Sequence, residues 1–199
     1  MLLIEHILDD EIATEVLFDA CRRVTLSRSK TLGPRVIAVL TARILAEERT
    51  ADANGEVMMD VVQSLYDDEL KEFASFVHGC MQDAIGPRKK DVSLAKNGEI
   101  KIGWHSEQID SNWKHEAAIS VSPLNLNEPI GAWAKKVEAV GIFSTEVTER
   151  HWDYREDSDR HIDQDGSARE FKWSIVIHRE YLELADLITR VCTSASDAT

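Results

Sequence analysis

Basic residues are scarce in this chain: 23 Lys and Arg stand against 36 Asp and Glu, a formal net charge of −13 over 199 residues. The shortage runs throughout, with 11 bases to 16 acids up to residue 90 and 12 to 20 beyond it. Non-specific affinity for nucleic acid comes from basic side chains that neutralise phosphates, so the balance argues against a protein that acts on DNA alone. Cysteine is sparse as well. Cys21, Cys80 and Cys192 are odd in number, far apart and in no CxxC or Cys/His ligand spacing, which excludes a disulfide framework and fits a reducing compartment. No apolar run approaches the roughly 18 residues of a membrane-spanning helix. The start MLLIEHILDDEIATE carries acids where a signal peptide carries positive charge, so a cytoplasmic chain without a membrane partner is expected. Motifs for nucleotide binding, for a nucleophile elbow and for HExxH zinc chemistry are all missing. No cofactor is expected. Tryptophan is absent before residue 104 and then appears at Trp104, Trp113, Trp133, Trp152 and Trp173.

What remains is a composition of 43% hydrophobic and 30% charged residues, enough apolar surface for a packed core. The predicted class is α+β, mainly α: an N-terminal antiparallel helical bundle over 1–86, a small winged-helix-like α+β module over 91–193, and a frayed tail over 194–199. Leu3, Ile7, Ile12, Val16, Leu17, Cys21 and Val24 form a helical stripe, with a break near Asp9 and Asp10. Pro34 suits the first turn of a helix carrying Val36, Ile37, Leu40 and Ile44. Asp52, Asn54 and Gly55 predict a loop, Val57 to Leu65 a short helix, and Asp67 or Asp68 a cap for a helix carrying Leu70, Phe73, Val77 and Met81. After Gly86-Pro87 the period changes. Val92, Leu94, Ile100, Ile102 and Trp104 flank Asn97-Gly98, a hairpin signal, and Ala117 to Val121 can add a strand. Asn127-Glu128-Pro129 predicts a helix start, with Ile130, Trp133, Ala134, Val137 and Val140 on its face and Gly141 as its stop. Two strands, Phe143 to Tyr154 and Phe171 to His178, enclose a polar loop over 155–169, and a helix from Tyr181 to Val191 follows.

Chemistry-bearing clusters are few. His151 and Asp153, followed by His161, Asp163 and Asp165, are the one stretch with metal-ligand character, since oxygen-rich loops hold hard cations and imidazole prefers transition metals. The stretch fails EF-hand spacing, because Lys172 would stand where a bidentate Glu is required. A solvated loop between strands is the plainer reading. His105 and His115, with Glu107, Asp110 and Glu116, do not follow HExxH spacing. The three cysteines fall on helical stretches and read as small buried thiols. Paired acids such as Asp9-Asp10 and Asp67-Asp68 suit helix N-termini. Trp133 and Trp173 sit in apolar patterns and are expected in the core, while Trp104 and Trp113 have polar neighbours.

The order of elements over 127–191, and above all the run Trp133-Ala134-Lys135-Lys136-Val137-Glu138-Ala139-Val140-Gly141-Ile142-Phe143, resembles the end of the recognition helix in a winged-helix module, with 155–169 as the wing. Upstream, Val61-Val62-Gln63-Ser64-Leu65-Tyr66-Asp67-Asp68-Glu69-Leu70 is similar to a segment of the Abi-alpha family, bacterial proteins associated with abortive phage infection, and Tyr181-Leu182-Glu183-Leu184 matches the start of that family's last helix. The resemblance implies a helical region followed by a winged-helix part and carries no catalytic residues. It departs from DNA-reading winged helices in charge. Lys135 and Lys136 are offset by Glu128 and Glu138, and Arg155, Arg160 and Arg169 by Glu156, Asp157, Asp159, Asp163, Asp165 and Glu170.

These readings predict a non-enzymatic interaction or regulatory protein with a protein partner, acting in phage defence, with a homodimer as one form. The alternatives are a winged-helix regulator that binds specific DNA through Lys135, Lys136, Arg150, Arg155 and Arg169, and a metal-dependent hydrolase built on His151, Asp153, His161 and Asp163.

Overall fold

The computed structural model describes residues 10–46, 53–85, 92–111, 130–153 and 167–196. Four helices come first: α1 (Glu11–Leu26), α2 (Leu32–Ala46), α3 (Ala53–Ser64) and α4 (Asp67–Ile85). They are followed by β1 (Val92–Leu94), β2 (Ile100–Ser111), α5 (Ala132–Ala139), β3 (Phe143–Asp153), β4 (Ser167–Ile177), a 3-10 turn (Arg179–Tyr181) and α6 (Leu182–Ser196). The class is therefore α+β and mainly α, with one antiparallel four-stranded sheet of order β1-β2-β4-β3.

Local chemistry accounts for most boundaries. Asp10 starts α1 by accepting the N–H groups of Ile12 at 2.9 Å and Ala13 at 3.3 Å. The α4 start is half a capping box, in which Glu69 accepts the Tyr66 N–H at 2.9 Å. Asp67 does not cap its own helix, as its sequence position suggests. Its carboxylate turns to the start of α2, accepting the Leu32 N–H and the Thr31 hydroxyl at 2.9 Å each and a hydrogen bond from the Ser29 hydroxyl. Partial burial of Asp67 opposes its charge, but those hydrogen bonds outweigh it and hold its pKa at about 2. Gly33 makes the junction possible, since a Cβ there would lie 2.7 Å from the Ser27 hydroxyl oxygen.

Several boundaries differ from expectation. Asn54 and Gly55 belong to the first turn of α3 rather than to a loop. α5 starts after Gly131, whose φ of 124° breaks any helical run from Asn127 and whose missing Cβ leaves room for the Trp133 ring 3.1 Å away. The Asn97-Gly98 hairpin is present, closed by the Gly98 N–H donating to the Ala95 carbonyl at 2.9 Å, with Gly98 at φ 86°. β2 continues far past Trp104, which sits at a register shift between Gly103 and His105, so the polar run to Ser111 is strand. β4 likewise begins at Ser167 inside the expected loop, and α6 runs on to Ser196 through the expected tail. The expected strand over 117–121 lies outside the described residues.

The hydrophobic core is one continuous set. It joins Ile37, Leu40, Val62, Leu70, Phe73 and Val77 of the N-terminal helices, and Leu65 between two of them, to Ile100, Trp133, Phe143, Ile175, Ile177, Leu184 and Ile188 of the later elements. α6 packs on α4 and α2, so a helix from the far end of the sequence joins the N-terminal group. Trp133 edges against Phe73, Phe76 and Phe143 at centroid distances of 6.0, 5.8 and 6.1 Å. Trp173 is buried too, as its apolar pattern suggested.

Candidate functional site

The rotation of α1 about its axis decides what the molecule shows to solvent. Arg23, only 6% exposed, faces inward and is bound by Asp19 of its own helix at 2.5 Å and by Glu56 and Asp60 of α3. Burial works against its charge, yet the hydrogen bonds from Arg23 to Asp19 and Asp60 and the charge of Glu56 prevail, so the guanidinium is held more firmly protonated than a free one. Asp19 is also partly desolvated, and Arg23 and Arg22 nevertheless pull its pKa below the usual carboxylate range.

Arg23 turns in beside Val16 and Ala20, and Leu17, Cys21 and Val24 of the predicted stripe turn out. Leu17 is 38% exposed, Phe18 73% and Val24 36%, and Cys21 beside them is exposed. This corrects the expectation that Cys21 is a buried thiol. Cys80 is buried and Cys192 half-buried. Thr14, Leu17, Phe18, Cys21, Val24 and Thr25 thus make an uncharged outer face on α1, in a chain of net charge −13. Contiguous exposed apolar residues on one helix face mark docking surfaces.

Three polar arrangements compete for attention. At one end of the sheet, His178 contacts Glu99 through Nδ1 at 2.9 Å and the Ser144 hydroxyl through Nε2 at 3.3 Å. Hydrogen bonding with the Asn97 and His178 side chains lowers the Glu99 pKa. The connectivity is that of a nucleophile, a base and an orienting carboxylate. It ties the starts of β2 and β3 to the end of β4, and sequence reasoning missed it because no motif joins residues so far apart in the chain. A second arrangement is an open groove between α4 and α6, made of adjoining depressions of about 490 and 550 Å³ that share His78 and Thr189. Its polar groups are already paired, His78 with Asp186 at 2.7 Å and Arg43 with Glu183 at 3.3 Å. The third is a ring between two cations: Tyr66 has Lys136 at 5.1 Å and Arg28 at 5.8 Å from its centroid.

That third cluster bears on the basic residues singled out for DNA. Lys136 is drawn onto the helical bundle, where both Glu69 oxygens hold it at 2.6 and 2.7 Å, and the other side of α5 is buried through Trp133, Ala134 and Val137. Lys135 is exposed on α5, Arg150 stands opposite Glu170 in the strand register, and Arg169 opposite His151. Arg155 lies outside the described residues. Of the metal candidates, His151 and Asp153 fall near the end of β3, opposite Arg169 and Ser167, while His161 and Asp163 lie outside the described residues. His105, Glu107 and Asp110 are positions of β2, and His115 and Glu116 lie outside. Among the described residues no group of three or more His, Cys, Asp or Glu is placed to hold a metal ion, and no helix is long and apolar enough to cross a membrane.

Comparison with protein-family models, with curated proteins and with solved structures finds no match to this chain.

Proposed function

We propose that this protein is a non-enzymatic interaction or regulatory module that docks the outer face of α1 on a helix of another protein chain. The observation that carries the reading is the orientation of α1: Arg23 is buried against three partly exposed carboxylates while Leu17, Phe18, Cys21 and Val24 face solvent. Exposing an apolar stripe costs stability unless a partner covers it. The engagement of Lys136 by Glu69 favours a protein partner over DNA, because it removes a cation from the helix that would have to meet phosphate. The Abi-alpha resemblance would put this docking in defence against phage, and three cysteines outside any disulfide suit the cytoplasm.

The test is affinity capture from host lysate with the full chain, with nuclease and chelator present, run beside Phe18→Glu. A stoichiometric protein retained by the natural chain and lost by the variant supports the reading. Retention of the same protein by both, or capture of nucleic acid alone when nuclease is omitted, overturns it.

A further inference from the structure

We infer that Ser144 is a modification site, a hydroxyl activated by His178 and Glu99 that takes an acyl group from an uncharged activated ester. The inference goes beyond the docking reading and does not depend on it. One rung of the sheet builds the site. Phe143, Ile177 and Ile100 stand side by side across β3, β4 and β2, and none is more than 1% exposed. Ser144 follows the first of them, His178 follows the second, and Glu99 precedes the third. Side chains alternate between the two sides of a strand, and His178 keeps an extended backbone at φ −71° and ψ 141°. A buried anchor beside each residue therefore turns all three to the same side, and holding a reactive group on rigid elements is what preorganises it.

Hydrogen-bond chemistry fixes the roles. Hydrogen bonding with the Asn97 and His178 side chains lowers the Glu99 pKa and so favours the carboxylate, which only accepts. The Nδ1–H of His178 therefore donates to Glu99 at 2.9 Å. In a neutral imidazole that leaves the lone pair on Nε2, to which the Ser144 hydroxyl donates at 3.3 Å. This polarity makes a serine nucleophilic. His178 and Glu99 keep 35% and 28% of their side-chain surface in solvent, so a small reagent can reach the group. In the reaction a bond forms from Ser144 Oγ to the acyl carbon, the ester bond to the leaving oxygen breaks, and the hydroxyl proton passes through Nε2 to that oxygen. Charge selects an acyl group over a phosphoryl group. A phosphate on Ser144 would set nearly two negative charges close to the Glu99 carboxylate, and Lys101 of β2 is already bound by Glu146. An acyl group adds no charge, and it removes the donor that ties the start of β3 to His178.

The test treats the full chain with p-nitrophenyl acetate and locates the acetyl group by peptide mass spectrometry. In the natural chain Ser144 is expected to carry the ester ahead of every other serine and threonine, a comparison that needs no variant. Hydroxylamine should remove it, as it removes oxygen esters but not lysine amides. Ser144→Ala should abolish the ester. His178→Gln should slow its formation about 100-fold, the low end for loss of a general base. Glu99→Gln should slow it less, because the amide oxygen still accepts the Nδ1–H. Circular dichroism checks that each variant keeps the fold. Acetyl groups spread evenly over exposed hydroxyls overturn the inference, and so does an unchanged rate at Ser144 in folded His178→Gln. Nitrophenol release that runs far beyond the amount of protein and stops in Ser144→Ala also overturns it, because the acyl group would then pass to water instead of staying on the serine.

Discussion

Asp67 and Arg23 show how a single side chain sets the geometry around it. Asp67 holds the start of α2 from the first turn of a different helix, so Asp67→Ala should cost about 1–2 kcal/mol, the range for a lost N-terminal cap, read as a lower urea midpoint. The same carboxylate gives the acid response a sign. Its folded pKa of about 2 lies below the ordinary aspartate value of 3.8, so its contribution is complete above about pH 4 and is lost as pH falls toward 2. Asp67→Asn should therefore show a flatter decline of the urea midpoint between pH 4 and 2 than the natural chain. Arg23 is buried, and its three carboxylate partners are one-third to one-half exposed. Arg23→Met should cost about 2–3 kcal/mol, below the full range for a broken buried pair because those carboxylates can recover water; equilibrium urea unfolding measures it. Neither role was legible in the sequence. An acid pair before an apolar run announces a cap without saying for which helix, and an arginine in a helical stripe gives no sign that it will displace the leucines from the interior.

At the scale of elements, what was legible followed period and turn chemistry. The helix with Pro34 near its start, the Asn97-Gly98 hairpin and the β3 strand stand where spacing and turn residues put them, and β4 starts four residues earlier than expected. The reading of α1 had the helix right but did not fix which side faces in, because apolar spacing cannot weigh Arg23 against carboxylates on α3 that lie more than thirty residues away. β2 beyond Trp104 was missed for a related reason: Glu107, Gln108 and Asp110 carry no strand signal, and their strand is fixed by pairing with β4. The hairpin itself makes a prediction. Gly98 sits at φ 86° against the Arg179 side chain, so Gly98→Ala should destabilise by about 1 kcal/mol, the cost of a left-handed residue with a Cβ, visible as a lower thermal midpoint.

At the scale of the molecule, the shared core makes a claim about cooperativity. Tryptophan occurs only after residue 100, whereas four of the six described α-helices lie before residue 86. Fluorescence therefore reports mainly the sheet side, and far-ultraviolet circular dichroism mainly the helical side. The two unfolding curves in urea should coincide, as one cooperative transition requires; separate midpoints would show that the halves unfold independently. The change of period near residue 90 was visible in sequence, but the packing of α6 on α2 and α4 was not, since an amphipathic helix does not reveal which surface it covers.

That late helix also orders events during translation. Leu184, Ile188 and Val191 complete a core whose other wall, in α2 and α4, leaves the ribosome much earlier. Until residue 191 has been made, Leu40, Phe73 and Val77 have no finished cover, and the nascent chain is a client for chaperones that recognise exposed apolar helices.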